Sequence, residues 1–77
     1  MSNLPRITAA QLIRALERGG FYRKRQTGSH ATFAHRDDPT RRATVPVHAG
    51  HIIEPKVMKA ILAGAQLSTE ELVDLLR

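Results

Sequence analysis

The sequence predicts one α+β domain with the element order α-β-β-β-α and a short helix after it. Three observations predict this. Segments with a helical apolar stripe open with helix-start signals. Between the first two of them lie three short strand-like runs separated by turn signals. And 77 residues leave room for one core and no second domain.

The elements follow in order. Thr8-Ala9-Ala10-Gln11 reads as a capping box, Thr8 being the N-cap and Gln11 the third helical residue. Leu12, Ile13 and Leu16 share one face of that helix, and Arg14, Glu17 and Arg18 point away. Gly19-Gly20 ends it, which gives a first helix over residues 9–18. Strand one is read as Phe21 to Gln26, a Thr27-Gly28 hairpin turn follows, and strand two is read as Ser29 to His35. Residues 36–42 form a polar loop with Asp37-Asp38-Pro39 as its turn signal. Strand three is read as Ala43 to Val47, and Pro46 within it argues for a sheet edge. Helix two starts near Glu54-Pro55, carries Val57, Met58, Ile61 and Leu62 on its apolar face and has Gly64 as its terminator. Ser68-Thr69-Glu70-Glu71 is a second capping box, opening a last helix that buries Leu72, Val73, Leu75 and Leu76. Strands joined by short connections make an antiparallel meander, and helices with one apolar face each pack on one side of it. The other side of the sheet is left open.

Composition narrows the function classes. The chain has no cysteine, which excludes disulfides and thiolate metal sites. No apolar run approaches the ~20 residues of a membrane span. Met1-Ser2-Asn3-Leu4-Pro5-Arg6 lacks the apolar stretch of a signal peptide, so a cytoplasmic protein with no membrane partner is expected. Net charge is +5, and residues 1–59 hold eleven of the twelve Lys/Arg with four of the seven Asp/Glu. A basic body of this kind suits a polyanion, most simply nucleic acid. Arg23, Arg42, Lys56 and Lys59 are the candidate contacts to its backbone.

The stretch Arg25-Gln26-Thr27-Gly28-Ser29-His30 puts an ionisable ring next to a glycine turn and a basic run. Side chains alternate across a strand, so Ala31 and Phe33 inward leave His30, Thr32 and Ala34 on the open face. Val45 and Val47 inward leave Thr44, Pro46 and His48 outward. Pairing His35 with Ala43 places His30 opposite His48, with Cβ atoms ~5 Å apart. A one-residue slip would break the pattern, whereas a two-residue slip would not. Strand one is ambiguous. A two-residue turn sets Arg25 opposite His30, Arg23 opposite Thr32 and Tyr22 against Phe33, but leans Lys24 toward the core. A three-residue turn reverses every face and buries Phe21 with Arg23, and a bulge would settle the conflict.

Such groups suit RNA cleavage through the substrate's own 2′-hydroxyl. Histidine can take and give a proton near neutrality. Arginine or lysine can stabilise charge on phosphorus oxygens. His30 and His48, with Arg25 or Lys24, would fill these roles, and Gly28 and Ser29 offer backbone amides and a hydroxyl to a phosphate. No metal is needed and no cofactor is implied, because the nucleophile belongs to the substrate. His35 and His51 are read as structural or solvated, and the His48-x-x-His51 spacing lacks the further ligands of a zinc site.

The order Gly19-Gly20-Phe21, Arg25-Gln26-Thr27-Gly28-Ser29-His30, Val45-Pro46-Val47-His48, Ile61-Leu62 and Leu67-Ser68 resembles that of HicA toxins, the mRNA interferases of bacterial HicBA toxin–antitoxin pairs. The resemblance implies a double-stranded-RNA-binding-like fold and metal-independent endoribonuclease activity on mRNA, with growth arrest as the result. It places the catalytic histidine at His30. It also implies a HicB-type antitoxin that blocks the active site, and operator DNA bound by the assembled complex, mainly through the antitoxin. Two departures stand out. Lys56-Val57-Met58 replaces the usual Gly-Thr-Leu, and Ala65-Gln66-Leu67 replaces Ala-Gly-Leu.

Overall fold

A computed structural model describes residues 3–77. Met1 and Ser2, the start of the segment read above for a signal peptide, lie outside the described residues. The elements are α1 (Ala9–Arg18), β1 (Phe21–Thr27), β2 (His30–His35), β3 (Arg42–Pro46), α2 (Pro55–Ala65) and α3 (Thr69–Leu76). The strands form one antiparallel sheet in the order β1-β2-β3, consistent with the double-stranded-RNA-binding-like fold.

Both capping boxes form. The Gln11 amide donates to Thr8 Oγ1 at 3.3 Å and the Thr8 amide to Gln11 Oε1 at 2.9 Å. The Glu71 amide donates to Ser68 Oγ at 3.0 Å and the Ser68 amide to Glu71 Oε1 at 2.8 Å. Each box satisfies donors that the first helical turn leaves without partners. Helix α2 begins at Pro55 as expected, but it runs through Gly64 and ends on Gln66, which is left-handed at φ 57° and ψ 43°. Gly64 is therefore no terminator. A Cβ there would lie 2.6 Å from the Arg42 carbonyl oxygen, so glycine is what lets α2 approach the backbone of β3.

One core joins the helices to the inner face of the sheet. Phe21, Phe33 and Val45 of the sheet are fully buried with Leu12 and Leu16 of α1, Met58 of α2 and Leu72 of α3. Val73, Leu75 and Leu76 are only partly buried, because α3 packs on α1 at the rim of this core. No polar or charged residue is buried among the described residues.

Both hairpins differ in register from expectation, and the bulge that would settle strand one is present. The β1–β2 turn is Gly28-Ser29, not Thr27-Gly28, so Thr27 faces His30. Gly28 has φ 58° and stands first in the turn, the pattern of a type II′ hairpin. A bulge at Lys24 then shifts the pairing between Arg23 and Arg25. It puts Phe21 and Arg23 on the helix side and Tyr22 and Arg25 on the open side. Arg25 thus lies opposite Thr32, Arg23 opposite Phe33 and Tyr22 opposite Ala34.

The β2–β3 pairing is slipped by two residues: Phe33 faces Ala43, Ala31 faces Val45 and His30 faces Pro46. The loop explains the slip. Asp38 Oδ1 accepts from the Thr40 amide at 3.0 Å and its hydroxyl at 2.6 Å, and the Arg41 amide donates to the Asp38 carbonyl at 3.0 Å. This tight turn closes the hairpin early, so the His35 amide already meets the Arg41 carbonyl at 3.0 Å. Pro46 lies on an edge strand, as its missing N–H requires.

Candidate functional site

The outer face of the sheet is an array of three cross-strand rows. Tyr22, Ala34 and Arg42 form the first, Arg25, Thr32 and Thr44 the second, and Thr27, His30 and Pro46 the third. None of these residues is acidic. His30 is exposed on the central strand, immediately after the hairpin turn, and its ring makes no hydrogen bond among the described residues. Arg25 lies diagonally across from it, a separation of about 7–8 Å between backbones that an arginine side chain spans. Arg42 stands at the far corner of the face, its Nε donating to the Pro39 carbonyl at 3.1 Å.

The hairpin tip is ordered from both sides. The Val47 amide donates to the Ser29 carbonyl. Gln26 Nε2 donates to the Gly28 carbonyl at 3.3 Å, and Gln26 Oε1 accepts from Arg23 at 2.7 Å. Gly28 and Ser29 thus sit beside His30 on a supported turn.

Other candidates lie elsewhere. His48 is beyond the end of β3, its ring centroid 6.0 Å from that of His51, and does not face His30. No three metal-ligating side chains converge among the described residues. Arg23 is on the helix side, with its guanidinium 5.6 Å from the centre of the Phe33 ring. Lys24 occupies the bulge. Lys56 and Lys59 are exposed on α2, away from the open face, with Lys59 in a cleft beside Leu4, Arg6 and Ile52.

His35 is structural, as expected. Its Nδ1 accepts from the Asp37 amide at 3.1 Å, so Nε2 carries the proton it donates to the Gly19 carbonyl at 3.0 Å. Its ring meets Phe21 edge-on at 5.0 Å. The carboxylates also serve the fold. Hydrogen bonds from the Thr40 hydroxyl and amide hold Asp38 below the usual carboxylate range. Those from the Ser68 amide and hydroxyl do the same for Glu71.

Tyr22 is an aromatic residue on this face that was not among the candidate site residues, because the sequence leaves the faces of strand one open. It is 48% exposed, with Arg42 across Ala34 in its own row and Arg25 in the next. A two-residue Thr27-Gly28 turn sets it inward against Phe33, whereas the reversed faces that bury Phe21 with Arg23 set it outward, and the latter is what the bulge produces.

The fold and the face together define a small basic α+β domain that presents one histidine and two arginines on an uncovered sheet. Residues 9–67 match the model of the HicA toxin of bacterial toxin–antitoxin systems. The chain belongs to this HicA toxin family, and membership implies an antitoxin partner. No curated protein matches the chain. No helix among the described residues is long and apolar enough to cross a membrane.

Proposed function

We propose that this toxin is a metal-independent endoribonuclease that cleaves mRNA with His30 as its catalytic base. The observation that carries the reading is the position of His30: exposed on the open face, beside a supported turn, within reach of Arg25 and with no carboxylate in the surrounding rows. His30 takes the proton of the 2′-hydroxyl. The 2′-oxygen attacks phosphorus, the bond to the 5′-oxygen breaks, and that oxygen takes a proton from the solvent that reaches the face. The products are a 2′,3′-cyclic phosphate and a free 5′-hydroxyl. Arg25 stabilises the charge that builds on the phosphorus oxygens, and the Gly28-Ser29 turn seats the phosphate. With His48 displaced, one histidine serves the reaction. Arg42 guides the strand across the sheet.

A HicB-type antitoxin would block this face by covering His30. A partner with acidic groups suits the two arginines there. Operator DNA would be bound by the assembled complex, chiefly through the antitoxin, and the cytoplasm is where mRNA and such a partner meet.

The test is cleavage of a defined RNA in EDTA by wild type, His30→Ala and Arg25→Ala. Wild type should cut, and a 2′-deoxy residue at the scissile position should prevent it. His30→Ala should be inactive with its fold intact, and Arg25→Ala should lose roughly a hundredfold in kcat. Equal cleavage by wild type and His30→Ala would reject the reading. RNA bound by wild type and left intact would make the protein a non-catalytic RNA-binding module.

A further inference from the structure

Tyr22 has no part in that chemistry, yet its placement is unusual. It and Ile52 are the two large apolar side chains left exposed among the described residues, and Ile52 lies off the sheet, in the cleft with Lys59. Tyr22 stands on the same open face as His30. Ala34, which points to this face between Tyr22 and Arg42, is only 4% exposed. Tyr22 and Arg42 are its cross-strand neighbours on either side.

We propose that Tyr22 is a stacking platform for one unpaired base of the RNA, and that the substrate is therefore single-stranded where it crosses this face. The inference rests on the reading of the open face as an RNA site. A tyrosine ring and a guanidinium on a flat, cationic, acid-free surface match the two requirements of single-strand binding, a π-surface for a base and charge for the backbone. In a duplex the base faces are hidden by stacking, so the ring could meet only a base that has been splayed out. The Tyr22 row is two rows from that of His30, about 13 Å along the strands. The stacked base therefore belongs to a nucleotide displaced along the chain from the scissile phosphate.

The protein carries its own probe, since Tyr22 is the sole tyrosine and there is no tryptophan. The experiment uses the full-length His30→Ala variant, so that RNA stays intact. Binding of an end-labelled unstructured RNA is followed by anisotropy and, in parallel, by tyrosine fluorescence. The single strand should quench the fluorescence, and the same sequence as a duplex should bind more weakly and quench little. Adding Tyr22→Ala should weaken single-strand binding roughly tenfold, whereas Tyr22→Phe should retain it. One abasic position along the RNA should reproduce the loss in the parent and add nothing to Tyr22→Ala. Bound RNA with unchanged fluorescence, or equal affinity in Tyr22→Ala, would overturn the stacking role while leaving the RNA site standing. No RNA bound by the parent or by wild type would remove the site and the inference together.

Discussion

His30 stands directly opposite Pro46 across the β2–β3 ladder, and the chain leaves the sheet before His48 is reached. His48→Ala should therefore leave kcat/KM within about threefold of wild type, less than 1 kcal/mol of transition-state stabilisation. Single-turnover cleavage of one RNA by both proteins measures this. A hundredfold loss would mean that His48 moves to the substrate on binding.

Gly64 and the Arg42 carbonyl define how closely α2 lies on β3. Gly64→Ala gains helix propensity of about 1 kcal/mol. It also puts a methyl carbon 2.6 Å from a backbone oxygen that cannot swing away. The clash should prevail, with a net destabilisation of about 1–3 kcal/mol. A lower denaturant midpoint at unchanged slope is the expected result.

Gln66 carries the opposite prediction. It is the sole non-glycine residue with positive φ among the described residues, and it caps α2. A side chain in that conformation costs about 1 kcal/mol. The side chain offsets little of this, with one exposed hydrogen bond from Gln66 Nε2 to Thr40 Oγ1 at 3.3 Å. Gln66→Gly should stabilise the protein by about 0.5–1 kcal/mol and raise Tm by a few degrees. Glycine is also what the family resemblance puts at this position.

Acid should loosen α3. The Ser68 amide and then its hydroxyl hold Glu71 below its ordinary value, so the folded protein favours the carboxylate. A group depressed by folding contributes stability above its unfolded value and loses it as pH falls through its folded one. Wild type should thus lose part of its stability between about pH 5 and pH 3. Glu71→Gln should lose less over that range, because its cap carries no titrating group. Thermal melts of both proteins at the two ends of the range test the sign. Asp38, lowered by Thr40, adds to the wild-type slope in both proteins and cancels in the comparison.

The helices were legible because their causes are local. Thr8 with Gln11 and Ser68 with Glu71 announce two of the starts within four residues, and Pro55 marks the third. The faces of β2 and β3 were legible too, since inward Ala31, Phe33 and Val45 leave one parity for His30. The pairing was not. A two-residue slip keeps every face, and the choice rests on how tightly Asp38 and Thr40 close a loop. The same holds for Gly64, whose need is set by a strand more than twenty residues away. The bulge at Lys24 falls between these cases. Burial of Phe21 demanded it, but which cation it would extrude was a matter of packing, and Tyr22 came to the open face with it.

Strand β2 has a histidine at each end, and they are held very differently. His35 is gripped at both nitrogens, whereas the exposed ring of His30 makes no hydrogen bond among the described residues, and exposed side chains of that kind change rotamer in picoseconds to nanoseconds. On the proposed reading, no second residue orients the base as an aspartate does in a serine-protease triad. The RNA itself must bring the ring into line at each turnover, and the geometric advantage of a rigid site is forgone. On that reading such a toxin would work by dose rather than speed. Its effect on a cell would follow the number of copies that escape the antitoxin, and a small change in that ratio would matter more than a gain in catalytic rate.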